Sequence, residues 1–504
     1  MLEKFLLEQA AKDGLALTFN DVRLRTGYAE VMPNSVSTET LFSKNIKLKI
    51  PIVSAAMDTV TESKMAIALA KLGGLGVIHK NLSIEEQADQ VAKVKHNLNG
   101  LIENPICVYE DESIASISKR MDEKGYSFSS FPVLDRKEKL VGIITGNDFD
   151  FCVDKKVLAK QIMTPSSEML TVAIGTDAKK AYETMKSKKK KSLPLVDKKG
   201  ILAGLYVFSD VKRIITGSSE KYNTDSKGRL RVGAAIGTGE EALERAAKLV
   251  EENVDVLVID TAHGDSKPVF ETLKEIKKKF PDTDVVVGNV SVSDSVERLA
   301  KAGADGIKVG QGPGSICTTR IIAGIGRPQV SAIYDCAKTA DKYGVPVCAD
   351  GGLTNSGDIT IAIAAGASTV MLGSMLAGTE EAPGEMIFLQ GQPWKGYRGM
   401  GSLGAMEVHK GSRERYNQEE TSKGQLVPEG VEGVVPYKGK VREVIFQYIG
   451  GLKRGMGYVG AATIKELKDK GEFDRLTNAG LEESHPHNIK ITKDSPNYKE
   501  NRFF

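Results

Sequence analysis

VLVIDTAH (256–263), DVVVGNV (284–290) and GIKVGQG (306–312) succeed one another at intervals of one amphipathic segment, and each closes on glycine or polar residues. Such short, nearly unbroken runs of Val, Ile and Gly suit strands buried on both faces of a parallel sheet. The signature recurs in PIVSAAM (51–57), GLGVIHK (74–80), VGAAIG (232–237), VPVCADGG (345–352) and TVMLGS (369–374). Most runs are followed by a Gly, Asp, Ser or Thr suited to opening a helix, then by a stretch at helical spacing. Eight such units predict an α/β chain built as a (β/α)8 TIM barrel. An open doubly wound sheet gives the same alternation, and the polar residues decide between the two. Asp260, His263, Asn289, residues 310–317, residues 350–352 and the Gly373-Ser374 pair all fall at or just after the C-terminal ends of the runs. In a barrel those ends converge on one active-site face.

The chain has 504 residues, too many for one ordinary compact domain, and 41% of them are hydrophobic, enough for real cores. With 69 basic and 66 acidic residues the formal net charge is +3, which gives no support for wholesale nucleic-acid binding. Five cysteines without CxxC spacing argue against a disulfide framework or structural zinc, and for a reducing compartment. The opening MLEKFLLEQAAKDG reads as an amphipathic helix and not a signal peptide, and no stretch approaches a membrane span. The expectation is a soluble cytoplasmic protein.

Between the second and third runs the pattern changes to a tandem repeat. FPVLD (131–135) leads to LVGIITGND (140–148), and LPLVD (193–197) leads to LAGLYVFSD (202–210). Copies of about sixty residues, each with a helical segment and a strand pair, predict a small paired α+β domain inserted in a barrel loop. The expected division is therefore barrel over 1–100, insertion over 101–215, and barrel again over 216–504. Lys186 begins a basic run, KSKKKK, that is either a solvated face or an anion contact.

Chemistry collects in VGQGPGSICTTR (309–320). Gly310, Gly312 and Gly314, stiffened by Pro313, shape a loop that displays Cys317, and loop N–H groups with Arg320 could favour its thiolate. Cys107, Cys152, Cys336 and Cys348 sit in ordinary apolar segments and read as small buried hydrophobes. ADGGL (349–353) and MLGSM (371–375) end the last two strands with N–H groups and a hydroxyl that can converge on a phosphate, to which Ser315 could add its own. Asp350, an acceptor when ionised, suits a ribose diol, and Asp260 with Asn289 could hold a second ligand. His263 is as readily structural as catalytic. The long polar segment from Tyr397 to Tyr437 reads as a structureless lid, with Arg415-Tyr416 in GSRERYNQ its most reactive pair.

Together these segments resemble the inosine 5′-monophosphate dehydrogenases over nearly the whole chain. LTFNDVRL (17–24), PIVSAAMDTVTE (51–62), DTAHG (260–264), GNV (288–290), GPGSICTTR (312–320), YRGMGS (397–402), VPEGVEG (427–433) and ESHPH (483–487) carry the likeness. The insertion resembles a pair of CBS domains, which often bind adenine nucleotides. The resemblance implies oxidation of IMP to XMP with NAD, the committed step toward guanine nucleotides. It assigns Cys317 as nucleophile on C2, Arg415 as base for the hydrolytic water, and Tyr416 and Thr319 as its aids. Ser315, Asp350, Gly352, Gly373, Ser374 and Tyr397 would hold ribose and phosphate, with Met400, Gly401 and Glu429 at the purine edge. Asp260, Asn289, Gly310 and Gly312 fall to NAD. Potassium (K+) would rest on carbonyls of Gly312, Gly314 and Cys317, completed by Glu483, Ser484 and His485 of a neighbour's tail. That arrangement implies a homotetramer, and the CBS pairs could join two into an octamer. Asp148 and Asp210 match the positions that hold a regulatory adenine or guanine nucleotide, although the pair could serve packing alone. Gln311 stands where the family more often has an apolar residue. The related guanosine 5′-monophosphate reductases share barrel and thiol but lack the Arg-Tyr flap and normally the CBS pair, so Arg415-Tyr416 favours the dehydrogenase.

Overall fold

A computed structural model describes residues 4–97, 101–102, 105–124, 126, 130–216, 220–416, 418, 421–493 and 495–498. The chain divides into two compact units, one formed by His96–Glu220 with Thr224–Arg229 and the other by the remainder.

The larger unit is the expected barrel. Its strands are β1 (Ile52–Ser54), β2 (Leu75–Ile78), β3 (Gly233–Ile236), β4 (Val256–Asp260), β5 (Asp284–Val290), β6 (Gly306–Val309), β7 (Val347–Asp350) and β8 (Thr369–Leu372). They close in chain order, all parallel, with β8 pairing β1 through Met371 and Val53 and β2 pairing β3 through Ile78 and Ala234. Val53, Leu75, Val77, Ala235, Val256, Val258, Val286 and Met371 fill one continuous core. Helices α1 (Ser63–Lys71), α2 (Ile84–Lys95), α3 (Gly239–Glu251), α4 (Lys267–Lys279), α5 (Ser293–Lys301), α6 (Gln329–Lys342), α7 (Ser356–Ala364) and α8 (Val441–Val459) follow the strands in turn. The last packs against both α7 and α1 and so completes the outer ring.

The segment expected to be structureless is not. Strand Gln392–Arg398 pairs antiparallel with both Met386–Leu389 and Glu432–Pro436, and helices Leu403–Val408 and Lys410–Arg415 lie between the last two strands. The first pair is a tight hairpin turning at Gln390-Gly391, but the pairing with Glu432–Pro436 joins strands more than thirty residues apart and leaves no local signal, and glycine-interrupted helices of six residues are too short to show a period.

The smaller unit contains the repeat with more structure than the sequence suggested. Helix Ile114–Lys124 and strands Phe131–Leu134 and Leu140–Ile144 correspond to helix Ala178–Ser187 and strands Ser192–Val196 and Leu202–Val207. Each copy adds a two-residue parallel strand, Val108–Tyr109 or Val172–Ala173, and a second helix, Gly146–Phe151 or Phe208–Ile215. Both hairpins carry an irregularity at the same place, between Val133 and Leu134 and between Leu195 and Val196. Each copy has its own core, around Phe131 and Phe149 in one and around Met185 and Tyr206 in the other. Among the described residues no helix is long and apolar enough to cross a membrane.

Candidate active site

The C-terminal strand ends enclose a cleft of about 620 Å³. It brings together Cys317, Thr319, Arg415, Tyr416, Ser315, Asp350, Gly352, Gly373, Ser374, Tyr397, Met400, Glu429, Asp260, Asn289, Gly310, Gly312 and Gly314. Gly401 stands just behind, where a Cβ would come within 2.5 Å of the Tyr416 ring. Glu483, Ser484 and His485 lie elsewhere, exposed at the end of helix Asn478–Glu483. Asp148 and Asp210 belong to the smaller unit. Asp148 accepts from the Thr145 N–H at 2.7 Å and hydroxyl at 2.8 Å, capping its own helix, and the largely buried Asp210 accepts from the Ser209 hydroxyl.

Among the cysteines, Cys336 and Cys348 are buried, and burial pushes the Cys348 thiol up to about 12. Cys107 and Cys152 are only half-buried, each donating to a backbone carbonyl, because their segments end at the surface of the smaller unit. Cys317 alone among them faces the cleft. Its thiol donates to Thr319 Oγ1 at 3.2 Å, and that hydroxyl donates to Glu429 Oε2 at 2.6 Å. Two backbone bonds clamp this line, Thr318 N–H to the Glu429 carbonyl and Val431 N–H to the Ile316 carbonyl. A thiol, a hydroxyl and a carboxylate in series form a path along which a proton can move. The Arg320 guanidinium donates to the carbonyls of Gln311 and Arg327, holding the loop's shape, and stands close enough to Cys317 for the two charges to attract.

Sequence reasoning missed Lys308. On β6, with its side chain 2% exposed, its ammonium lies 2.8 Å from Asp260 Oδ1 and 2.7 Å from Asp350 Oδ2, and donates to Asn289 Oδ1. Asn289 in turn donates to Asp350 at 3.0 Å and to the Gly310 carbonyl at 2.6 Å. The signal was present in GIKVGQG, where a lysine interrupts an apolar run, and a lysine held in a barrel interior requires counter-charges. Arg415 reaches Asp260 from the flap, so two cations and two carboxylates cancel. Burial lowers the Arg415 guanidinium from its ordinary range, with Tyr416 acting against it, and burial raises the phenols of Tyr416 and Tyr397. Gln311 joins three loops, accepting from the Ser291 hydroxyl and donating toward the Ala262 carbonyl and His263 Nδ1. That contact gives His263 a structural partner.

The family described as IMP dehydrogenase / GMP reductase domain matches residues 16–487. Curated relatives named inosine-5'-monophosphate dehydrogenase include that of Aquifex aeolicus, 51% identical over 98% of this chain and 99% of that protein. Those of Halalkalibacterium halodurans and Bacillus subtilis are 50% and 49% identical, each over 97% of this chain and 98% of the relative. A solved structure of a cysteine-to-alanine variant of Trypanosoma brucei GMP reductase, in complex with guanosine 5'-monophosphate, superposes with a TM-score of 0.87, at 39% identity, over 96% of this chain and 100% of that one. With a cysteine on the cleft at the C-terminal strand ends, a closed eight-stranded barrel and relatives matched end to end, the chain belongs to the IMP dehydrogenase / GMP reductase family.

Proposed function

We propose that the cleft oxidises C2 of IMP with NAD, giving XMP and NADH, through a covalent bond between C2 and Cys317 Sγ. The observation that carries the reading is the hydrogen-bonded line from Cys317 through Thr319 to Glu429, in a cleft that Arg415 and Tyr416 also line. As sulfur bonds C2, the thiol proton passes to Thr319 while the threonine proton passes to Glu429. NAD supplies the acceptor for the hydride that leaves C2. Water then attacks C2, the C–S bond breaks with its electron pair on sulfur, and the Cys317 thiolate regains its proton from Glu429 through Thr319. Arg415 takes the water's proton, with Tyr416 and Thr319 orienting that water. An arginine base needs a depressed pKa, and the burial of Arg415 acts in that direction.

Asp350 accepts from the IMP ribose, while Ser315, Gly352, Gly373, Ser374 and Tyr397 surround its phosphate with hydroxyl and N–H donors. Met400, Gly401 and Glu429 meet the purine edge. Asp260 accepts from the NAD ribose, and Asn289, Gly310 and Gly312 line the transfer site. Among the described residues no backbone donor reaches the carbonyls of Gly312 or Cys317, which suits them to hold potassium, while the Gly314 carbonyl, assigned to the same ion, also accepts from the Cys317 N–H at 3.0 Å. Glu483, Ser484 and His485 of a second copy would complete that site, which makes the working form a tetramer. The smaller unit reads as a paired CBS module that binds an adenine or guanine nucleotide near Asp148 and Asp210 and can join tetramers into octamers. A cytoplasmic location belongs to the same reading, since Cys317 must remain a thiol.

The second reading is reductive deamination of GMP with NADPH. The trypanosomal reductase is matched along its whole length by nearly all of this chain, so the insertion does not separate the two activities; Arg415-Tyr416 is the feature that favours the dehydrogenase. The test is NADH absorbance with IMP, NAD and potassium, using Cys317→Ala as control and GMP with NADPH as the opposing arm. Cysteine-dependent NADH formation is expected. Turnover only in the GMP arm would transfer the chain to the reductase reading.

A further inference from the structure

Arg415 stands at the end of a six-residue helix, Lys410–Arg415, and the residue before it is fixed by the barrel wall. Glu414 Oε2 accepts from Lys80 Nζ at 2.7 Å, and Glu414 Oε1 accepts from the Thr238 N–H at 2.6 Å. The Lys80 side chain is 2% exposed and lies just past β2, while Thr238 is the N-cap of α3. The carboxylate therefore meets a buried ammonium and the positive end of a 13-residue helix together. It also fills the space beside Gly237, where any Cβ would collide with the carboxylate. Within the cleft the guanidinium pairs with Asp260, and the helix's other ties to the barrel are weaker or neutral. Lys410 pairs with Glu241 in water, where an ion pair contributes little; Ser412 bonds Asn81, and the Ala262 N–H donates to the Arg415 carbonyl at 3.1 Å.

We infer that Glu414 is a positioning residue for Arg415: its carboxylate seats in a socket formed by Lys80, Gly237 and Thr238, and this seating sets the guanidinium in the cleft. The inference rests on the reading of Arg415 as the hydrolytic base. It makes the socket matter for the water-dependent half of the reaction and not for hydride transfer, because no socket residue lines the cleft. Burial lowers the Lys80 ammonium while the Glu414 charge raises it, as a matched pair in the wall requires.

Gly237→Ala evicts Glu414 by a methyl group, without altering either charge, and the collision falls on the flexible end of that side chain. Glu414→Gln removes the charge and keeps an acceptor for Thr238. Stopped-flow NADH absorbance with IMP and NAD separates the first turnover, which reads hydride transfer, from the steady state, which includes hydrolysis. For Gly237→Ala and Glu414→Gln the first-turnover rate is expected to stay within about twofold while the steady-state rate falls about tenfold. Lys80→Met combined with Glu414→Gln should be no slower than the slower single variant, since both empty one socket. Equal slowing of both phases would reduce the contact to general stability and overturn the proposal. Wild-type steady-state rates in both single variants, beside a slow Arg415→Ala, would overturn the socket alone. Wild-type rates in Arg415→Ala would remove the arginine base and the socket's role with it.

Discussion

At the N-terminal ends of β4, β5 and β6, each aspartate is closed by partners of its own. Asp255 takes Lys95 Nζ at 2.7 Å and the Val232 N–H at 2.9 Å, and Asp305 takes Lys277 Nζ at 2.8 Å and the Val285 N–H at 3.0 Å. Asp284 takes the Ser43 hydroxyl and both the backbone and side-chain N–H groups of Asn45. At the opposite ends, Asp260 and Asp350 share the one ammonium of Lys308, and the second cation on Asp260 comes from the flap. The first arrangement is complete within the scaffold and serves stability. The second leaves acceptor oxygens beside a cleft and depends on a segment outside the barrel, the condition expected of groups that must take up ligand hydroxyls.

The largest separation of the two ends should come from Cys317→Ala. Turnover is expected to fall by about 10⁴-fold or more with no loss in thermal midpoint, because the thiol lines the cleft and its hydrogen-bond partner is the Thr319 hydroxyl and not the apolar core. Next is Lys308→Met, which leaves two carboxylates without their shared cation. Its kcat/KM should fall about 100- to 1,000-fold, with KM rising for both IMP and NAD and partial recovery in Lys308→Arg. An effect on one nucleotide alone would break the picture of a shared cation. Asp284→Ala should do the reverse, losing about 2–3 kcal/mol in a denaturant titration while kcat stays within about twofold.

The smallest effect concerns Lys468, at the same end as Asp284, whose amine donates to Ser368 Oγ and is lowered by burial to about 8 from 10.5. Below pH 8 the folded state carries this proton at a cost. As pH rises from about 8 to about 10.5 the folded amine releases its proton before the unfolded one does, so wild-type stability gains. Lys468→Met should therefore raise the thermal midpoint at pH 7 by about 1–2 °C, and the advantage should fade across that window. A constant advantage at all pH values would show that packing and not charge is responsible.

The barrel was legible because its strands are buried on both faces, so VLVID and DVVVGNV announce themselves by composition. The cleft was legible wherever a residue broke that composition at a strand end, as Asp260, Asn289 and Asp350 do. Lys308 lay one step inside such a run, where its charge was overlooked beside the glycine loop that follows. Glu414 sits in GSRERY among residues that all look solvated, and its counter-charge at Lys80 is more than three hundred positions away. The two-residue strands of the insertion and the paired base of the flap were hidden for a related reason. Their hydrogen bonds join segments distant in sequence, and lengths so short carry no period.

The central claim, covalent oxidation at Cys317, is tested most directly by intact mass after the protein is mixed with IMP and NAD and quenched in acid within the first turnover. The account predicts an adduct equal to one IMP less two hydrogens, one lost as hydride and one as the thiol proton, localised to the peptide containing Cys317 and missing from Cys317→Ala. NADH formed at the wild-type rate by Cys317→Ala, or formed by the wild type with no adduct at any quench time, would contradict it.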